Sequence, residues 1–172
     1  LQDLAKMEQY TTGIKKAVII GGGLIGIEMA EMLLSRGIEV DFLVRESKFW
    51  GNVLPEKESE LIMRHMKNHH VNLLTNTELD EIIGDENGRV KAIKTNTGEI
   101  IECGWVGLTA GVSPNVDFIR DSNIEVNRGI KVNEFCTTNV HNVFAIGDCA
   151  EFNVAVPERR NICLLYTSDA AD

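Results

Sequence analysis

Gly21, Gly23 and Gly26 are spaced as G-x-G-x-x-G, directly after the apolar run Ala17-Val18-Ile19-Ile20 and at the opening of an amphipathic stretch. That order, buried strand then glycine turn then helix start, is what the diphosphate of a dinucleotide requires. Gly21 permits the tight turn out of the strand. Gly23 removes the Cβ that would keep backbone and phosphate apart. Gly26 lets the helix lie close on the sheet. The helix N-terminus, through Leu24 and Ile25, offers free N–H groups and a partial positive charge to the anion, with Gly22 completing the turn. The alternative is a glycine-rich strand-to-helix turn with no ligand.

Other reactive side chains form weaker patterns. His65 and His69 have the i, i+4 spacing that two metal ligands can share on a helix. No H-E-x-x-H and no acidic third ligand accompany them, so they, with His70, read as a solvated face and no metal site is expected. Cys103, Cys136, Cys149 and Cys163 contain no C-x-x-C pair. They read as isolated thiols of a cytoplasmic protein, and Cys149 as a small buried residue. The 172 residues are 44% hydrophobic and 25% charged, with a formal net charge of −9. Such a chain has no basic stripe for nucleic acid. No apolar run approaches the roughly 20 residues of a membrane-spanning helix. Leu1 to Tyr10 is polar and mixed, unlike a signal peptide.

The elements that must position the glycines follow from periodicity. Residues 1–13 read as a linker, helical near Leu4 to Met7. Ala17 to Ile20 is the first strand and Leu24 to Ser35 the first helix, with Ile25, Met29, Met32 and Leu33 on one face and Gly37 ending it. Ile38 to Val44 is a strand buried on both faces of a parallel sheet. After a loop, Pro55 starts a helix carrying Leu61, Ile62 and Met66. Val71 to Leu74 closes a β-α-β-α-β unit. Three short strands, Glu78 to Ile83, Arg89 to Asn96 and Glu99 to Cys103, form a β-meander with turns at Gly84 to Gly88 and Asn96 to Gly98. Trp105 to Leu108 returns to the parallel sheet. A loop leads to a short helix over Val116 to Asp121. Minor strands follow near Ile124 to Val126 and Ile130 to Val132, and a last apolar strand over Val143 to Ile146.

Three segments together resemble the FAD- and NAD(P)H-dependent pyridine nucleotide–disulfide oxidoreductase superfamily. They are Gly21 to Glu28, the loop Thr109-Ala110-Gly111-Val112-Ser113-Pro114-Asn115, and Thr138 through Val143-Phe144-Ala145-Ile146-Gly147-Asp148. The wording is most similar to the branch of nitrite reductase-type, rubredoxin reductase-type and related ferredoxin or NADH oxidase-like flavoenzymes. The resemblance implies an α/β fold: a Rossmann-like parallel sheet with an inserted β-meander over 14–115, then a partial returning FAD-domain segment over 116–162. It implies an oxidoreductase that passes hydride from NAD(P)H to FAD and on to an unidentified acceptor, a small redox protein or a small molecule. The rival reading is a non-catalytic NAD(P)-binding or sensing module.

The resemblance also assigns residues. Glu28 falls near the nicotinamide end, or else is a helix-favouring residue in the first turn. Gly111 lets backbone approach the dinucleotide, or marks a plain turn. Asp148, with Gly147, accepts from the flavin ribityl chain, or is an N-cap. Register with the family puts Val44 where NAD sites carry an acid, with Arg45 and Glu46 next; the arginine leans toward NADPH, the glutamate toward NADH, and a solvated pair is the third reading. No side chain is assigned a catalytic role. The absence of C-x-x-C in this domain argues against small thioredoxin reductases. Leu1 is not Met, and Cys163 to Asp172 looks like a translated sequencing adapter. A fragment is therefore expected, one that binds NAD(P)H without retaining FAD and is itself inactive.

Overall fold

A computed structural model describes residues 2–152. The expected adapter-derived tail, the end of the 116–162 segment and Cys163 lie outside the described residues. The chain divides into two compact units, Leu1–Gly111 and Val112–Asp172. The division falls before Asn115, where the sequence puts the end of the first domain.

In the first unit, helix α1 (Gln2–Thr11) precedes strand β1 (Lys16–Ile20), helix α2 (Leu24–Ser35), strand β2 (Glu39–Leu43), helix α3 (Glu56–Asn68) and strand β3 (Val71–Leu74). Strands β4 (Leu79–Gly84), β5 (Val90–Thr95) and β6 (Ile100–Glu102) follow, then β7 (Trp105–Leu108). The main sheet has the order β3-β2-β1-β7. Every pairing in it is parallel, with Val18 opposite both Asp41 and Val106. β4, β5 and β6 form a separate antiparallel sheet. This is the expected Rossmann half with an inserted meander. β1 is central, and its Ala17, Val18 and Ile19 are fully buried, as a parallel strand covered on both faces must be. Ala17, Ile19, Val40, Phe42 and Val44 pack with Ala30 and Leu33 of α2 and Met66 of α3. On the other face Val18 and Leu43 pack with Ile93, Ile101 and Cys103 from the meander and its exit. Burial pushes the Cys103 thiol above its ordinary pKa, so it stays protonated and unreactive at neutral pH.

Several expectations change. The N-terminal helix covers Gln2–Thr11, well beyond Leu4 to Met7. The buried stripe of α2 is Gly26, Ala30 and Leu33, while Ile25 is exposed. Packing is centred on the residue without a side chain, which turns Ile25 outward. In α3 the buried positions are Ser59 and Met66, and Leu61 is exposed. Ser59 is buried because its hydroxyl donates to the Phe49 carbonyl. Asp41 is buried inside β2, in an ion pair with Lys16 (2.8 Å) and accepting from the Asn72 amide (2.9 Å). A charge at that depth persists only when paired and hydrogen-bonded.

In the second unit, a 3-10 turn over Asp117–Ile119 stands where a short helix is expected. β8 (Ile130–Val132) pairs in parallel with β9 (Ala150–Phe152), a strand the sequence does not signal. Ile124 to Val126 is not a strand; only a single bridge joins Val126 to Ile130. Val143 to Ile146 is not a strand either. Phe144 makes an isolated bridge to Thr137, Phe144 and Ile146 are exposed, and among the described residues the run has no ladder partner. Val116, Ile130, Val132 and Ala145 form this unit's core. Cys149 is half-buried at its rim, not enclosed as expected. Among the described residues, no helix is long and apolar enough to cross a membrane.

Candidate functional site

The glycine turn is held from two sides, by the end of β2 and by Thr109 after β7. The Gly21 N–H donates to Leu43 O (3.1 Å), tying the turn to the end of β2. The Thr109 N–H donates to Ile20 O (2.8 Å), tying it to the end of β7. The Thr109 hydroxyl lies 3.0 Å from the carbonyl oxygens of both Ile20 and Gly21. Thr109 is buried. The sequence shows it as part of a loop and gives no hint of this lock, because its partners are distant in the chain.

The three motif glycines are glycines for different reasons. Gly21 has φ +113, and a Cβ there would lie 2.6 Å from the Thr109 carbonyl oxygen. Gly26 is buried, and its Cβ would meet Gly21 O at 2.7 Å, Phe42 Cζ at 2.8 Å and Thr109 Oγ1 at 2.9 Å. Gly23 is exposed, has an ordinary φ of −92, and a Cβ there would find only the Thr109 carbonyl oxygen, at 3.9 Å. Protein packing therefore demands glycine at 21 and 26. At 23 the free space faces outward, which fits a ligand that comes against the main chain.

Gly23 caps α2, no side chain among the described residues caps that N-terminus, and the first helical bond runs from the Ile27 N–H to Gly23 O (3.4 Å). The N–H groups of Leu24, Ile25 and Gly26 precede that bond and point out of the helix end, as helix geometry dictates. Leu24 and Ile25 are exposed there, and Glu28 is exposed on the first turns of α2. The niche combines backbone donors with the positive end of the helix dipole, which suits an anion, and among the described residues no bulky group fills the position beside Gly23.

Arg45 and Glu46 follow β2 after one residue, Val44. Val44 before them packs against Gly22, its Cγ1 3.2 Å from where a Gly22 Cβ would be. The chain at Val44 therefore lies against the glycine turn, and Arg45 and Glu46 are the next two residues along it. Arg45 Nε donates to Glu46 Oε1 (2.9 Å). That guanidinium holds the Glu46 carboxyl below the ordinary carboxylate range, and the carboxylate raises Arg45 in return. Gly111, with φ +125 and open space where a Cβ would be, continues the Thr109 loop beside Gly21. Gly147, with φ +78, and the exposed Asp148 belong to the second unit. The His65 and His69 rings lie tilted against each other on α3, with centroids 4.3 Å apart and an interplanar angle of 48°. Among the described residues, no group of three His, Cys, Asp or Glu side chains is placed to hold a metal.

Trp50 escapes the sequence reading entirely. Its indole Nε1 donates to Gly22 O (2.5 Å), across the glycine turn.

A parallel sheet ordered β3-β2-β1-β7, with a glycine turn leaving its central strand into an uncapped helix, defines a dinucleotide-binding α/β domain. Residues 1–168 match the pyridine nucleotide-disulphide oxidoreductase family, and the chain belongs to it. It is 34% identical over 148 residues to a nitrite reductase [NAD(P)H] of Bacillus subtilis, covering 86% of this chain and 18% of that protein. It is 28% identical over 152 residues to a rubredoxin-NAD(+) reductase of Acinetobacter baylyi, covering 88% and 37%. A crystal structure of an FAD-dependent pyridine nucleotide-disulphide oxidoreductase from Desulfovibrio vulgaris superposes with a TM-score of 0.74 at 30% identity, covering 86% and 38%. The chain thus spans between 18% and 38% of the lengths of these relatives.

Proposed function

We propose that this chain is the NAD(P)H-binding portion of a FAD-dependent oxidoreductase that passes reducing equivalents from NAD(P)H to flavin and on to an acceptor. The observation that carries the reading is the outward-facing space at Gly23, the one motif glycine whose identity the protein's own packing does not require. Family membership supports the same reading, as do relatives named for NAD(P)H and for FAD.

Bound pyridine nucleotide and flavin supply the hydride chemistry; the protein supplies position and electrostatics. The exposed backbone from Gly23 to Gly26 holds the diphosphate, with Gly21 and Gly22 shaping the turn. Thr109 keeps that backbone in place, and Gly111 leaves room for the nucleotide above the end of β7. Arg45 and Glu46 meet the adenosine ribose: a carboxylate accepts from ribose hydroxyls, and a guanidinium pairs with a 2′-phosphate. Glu28 stands on the helix surface leading away from the diphosphate, toward the nicotinamide end. Gly147 and Asp148 receive the flavin, Asp148 as an acceptor for ribityl hydroxyls. The open space at Gly147 and the exposed carboxylate fit that role. The acceptor is a small redox protein or a small molecule; a rubredoxin partner in a relative's name supports the former.

The test is calorimetric titration of the chain with NADH, NADPH and ADP-ribose. Saturable 1:1 binding of all three diphosphates is expected. A chain that melts cooperatively yet binds none of them overturns the proposal.

A further inference from the structure

The run Gly21-Gly22-Gly23 is the most conformationally free stretch of the first unit, yet diphosphate recognition needs one of its peptide planes fixed. A Gly-Gly peptide can rotate as a unit at little steric cost, since neither neighbour carries a Cβ. The plane between Gly22 and Gly23 contains the Gly22 carbonyl and the Gly23 N–H. In a planar trans peptide these two point in opposite directions, and no peptide bond in the described chain is cis. Whatever grips the carbonyl therefore aims the N–H.

The indole of Trp50 grips that carbonyl. Gly22 faces Val44 and the Phe49 ring, at 3.2 Å and 3.7 Å from its Cβ direction, so Trp50 reaches the carbonyl from the protein side of the turn. The Gly23 N–H is left on the open side, and among the described residues nothing accepts from it. Trp50 is itself firmly held. Its ring stacks on Phe49, with centroids 5.2 Å apart at 24°. Phe49 is buried, meets Phe42 edge-on, and has its carbonyl taken by Ser59. Trp50 also sits at φ +55, a left-handed backbone that a bulky residue rarely adopts. Two following N–H groups, of Val53 and Leu54, donate to its carbonyl (2.9 and 2.8 Å). Strain of this kind persists where the surroundings over-determine it, and functional sites are where it collects.

We infer that Trp50 is a positioning residue for diphosphate recognition: by donating to Gly22 O it fixes the Gly22–Gly23 peptide with the Gly23 N–H directed at the anion. The bond to the carbonyl also polarises the peptide and strengthens the N–H as a donor. The inference rests on the proposed nucleotide reading and adds to it a residue outside the glycine motif.

Trp50→Phe keeps an aromatic ring beside Phe49 and removes the N–H. Binding of ADP-ribose, which has the diphosphate, is compared with binding of adenosine, which lacks it. The variant is expected to weaken ADP-ribose about three- to tenfold, the worth of one hydrogen bond, and to leave adenosine unchanged. Equal weakening of both ligands, or of neither, overturns the role of Trp50 while leaving the nucleotide reading intact. Wild-type chain that fails to bind ADP-ribose removes the nucleotide reading itself. A second measurement needs no stable Trp50 variant. In the wild-type chain the Trp50 indole N–H resonance, told apart from that of Trp105 by Trp105→Phe, should move with ADP-ribose and not with adenosine. A resonance indifferent to both ligands overturns the inference.

Discussion

Alanine at Gly23 and alanine at Gly26 should separate ligand binding from folding, although the two glycines belong to one motif. At Gly26 the added Cβ meets three atoms below 3.0 Å. None can yield easily: Gly21 O is backbone, Phe42 is fully buried, and the Thr109 hydroxyl is engaged with two carbonyls. Overpacking of this severity costs about 2–3 kcal/mol. Replacing glycine inside a helix returns up to about 1 kcal/mol. The net loss is about 1–2 kcal/mol, which lowers Tm by roughly 5–10 °C for a unit of this size. At Gly23 the Cβ enters open space at an ordinary φ. The loss of a good N-cap residue costs about 0.5 kcal/mol, and the stiffer unfolded chain returns a similar amount. Stability should stay within about 0.5 kcal/mol of the parent by that balance.

Binding reverses the order. A methyl group in the diphosphate's path forfeits at least one charge-assisted hydrogen bond, about 1.5–3 kcal/mol, or roughly 10- to 150-fold in Kd. Gly23→Ala should therefore melt like the wild type and bind NADH, NADPH and ADP-ribose at least tenfold more weakly. Gly26→Ala should melt early and, below its transition, keep most of its affinity. Thermal melts by circular dichroism and titration calorimetry read both quantities. A Gly23→Ala chain that binds like the wild type would refute the assignment of the open space to the diphosphate. One that unfolds as readily as Gly26→Ala would refute the claim that packing leaves position 23 free.

Glu46→Gln releases Arg45 from its only ion pair in the described structure, so the Kd ratio should move about three- to tenfold toward NADPH. Arg45→Gln should move it toward NADH, and a ratio unmoved by both variants would place the ribose elsewhere. In the second unit the Gly129 N–H and the Asn127 amide donate to Glu151, each at 2.9 Å, and hold its carboxyl below the ordinary range. A lowered carboxyl stabilises the fold above its unfolded value, about pH 4.3, and that contribution is lost as pH falls through the lower folded value. Protection of the Gly129 amide from hydrogen exchange should decline below about pH 4, and Glu151→Gln should abolish that decline. Unchanged pH dependence in Glu151→Gln would show that another group governs this edge of the β8–β9 pair.

The sheet was legible because its strands obey a local rule. A parallel strand covered on both faces is a continuous apolar run, and Lys16–Ile20 and Trp105–Leu108 stand where such runs occur. The meander was legible from its turns, where Gly88 and Gly98 take φ +73 and +86. Helix faces were read less well. Hydrophobicity puts Ile25 inward, but the α2 interface is made by the missing side chain of Gly26, which an apolar pattern cannot register. Asp41 looks like a polar break in β2; its partners Lys16 and Asn72 come from the neighbouring strands on either side. The second unit was read worst. Val143 to Ile146 has the composition of a buried strand and no ladder among the described residues, while the polar-looking stretch at Glu151 has one. Strand pairing there is decided by contacts between distant segments, and composition carries no record of them.

The same distinction bears on how much the glycine motif says about function. Two of its three positions would be glycine in a domain that bound nothing, because Thr109, Phe42 and the turn's own carbonyl leave no room for a Cβ. The motif therefore reports mainly a strand that turns sharply into a closely packed helix. In the proposed reading its functional content is concentrated in Gly23, where a side chain would fit and none is present. Around that position the chain adds devices that serve the turn's geometry: a buried threonine hydroxyl on one side and an indole N–H on the other. Long-range side chains hold in place the backbone that the glycines leave free, and a preorganised row of N–H donors needs both.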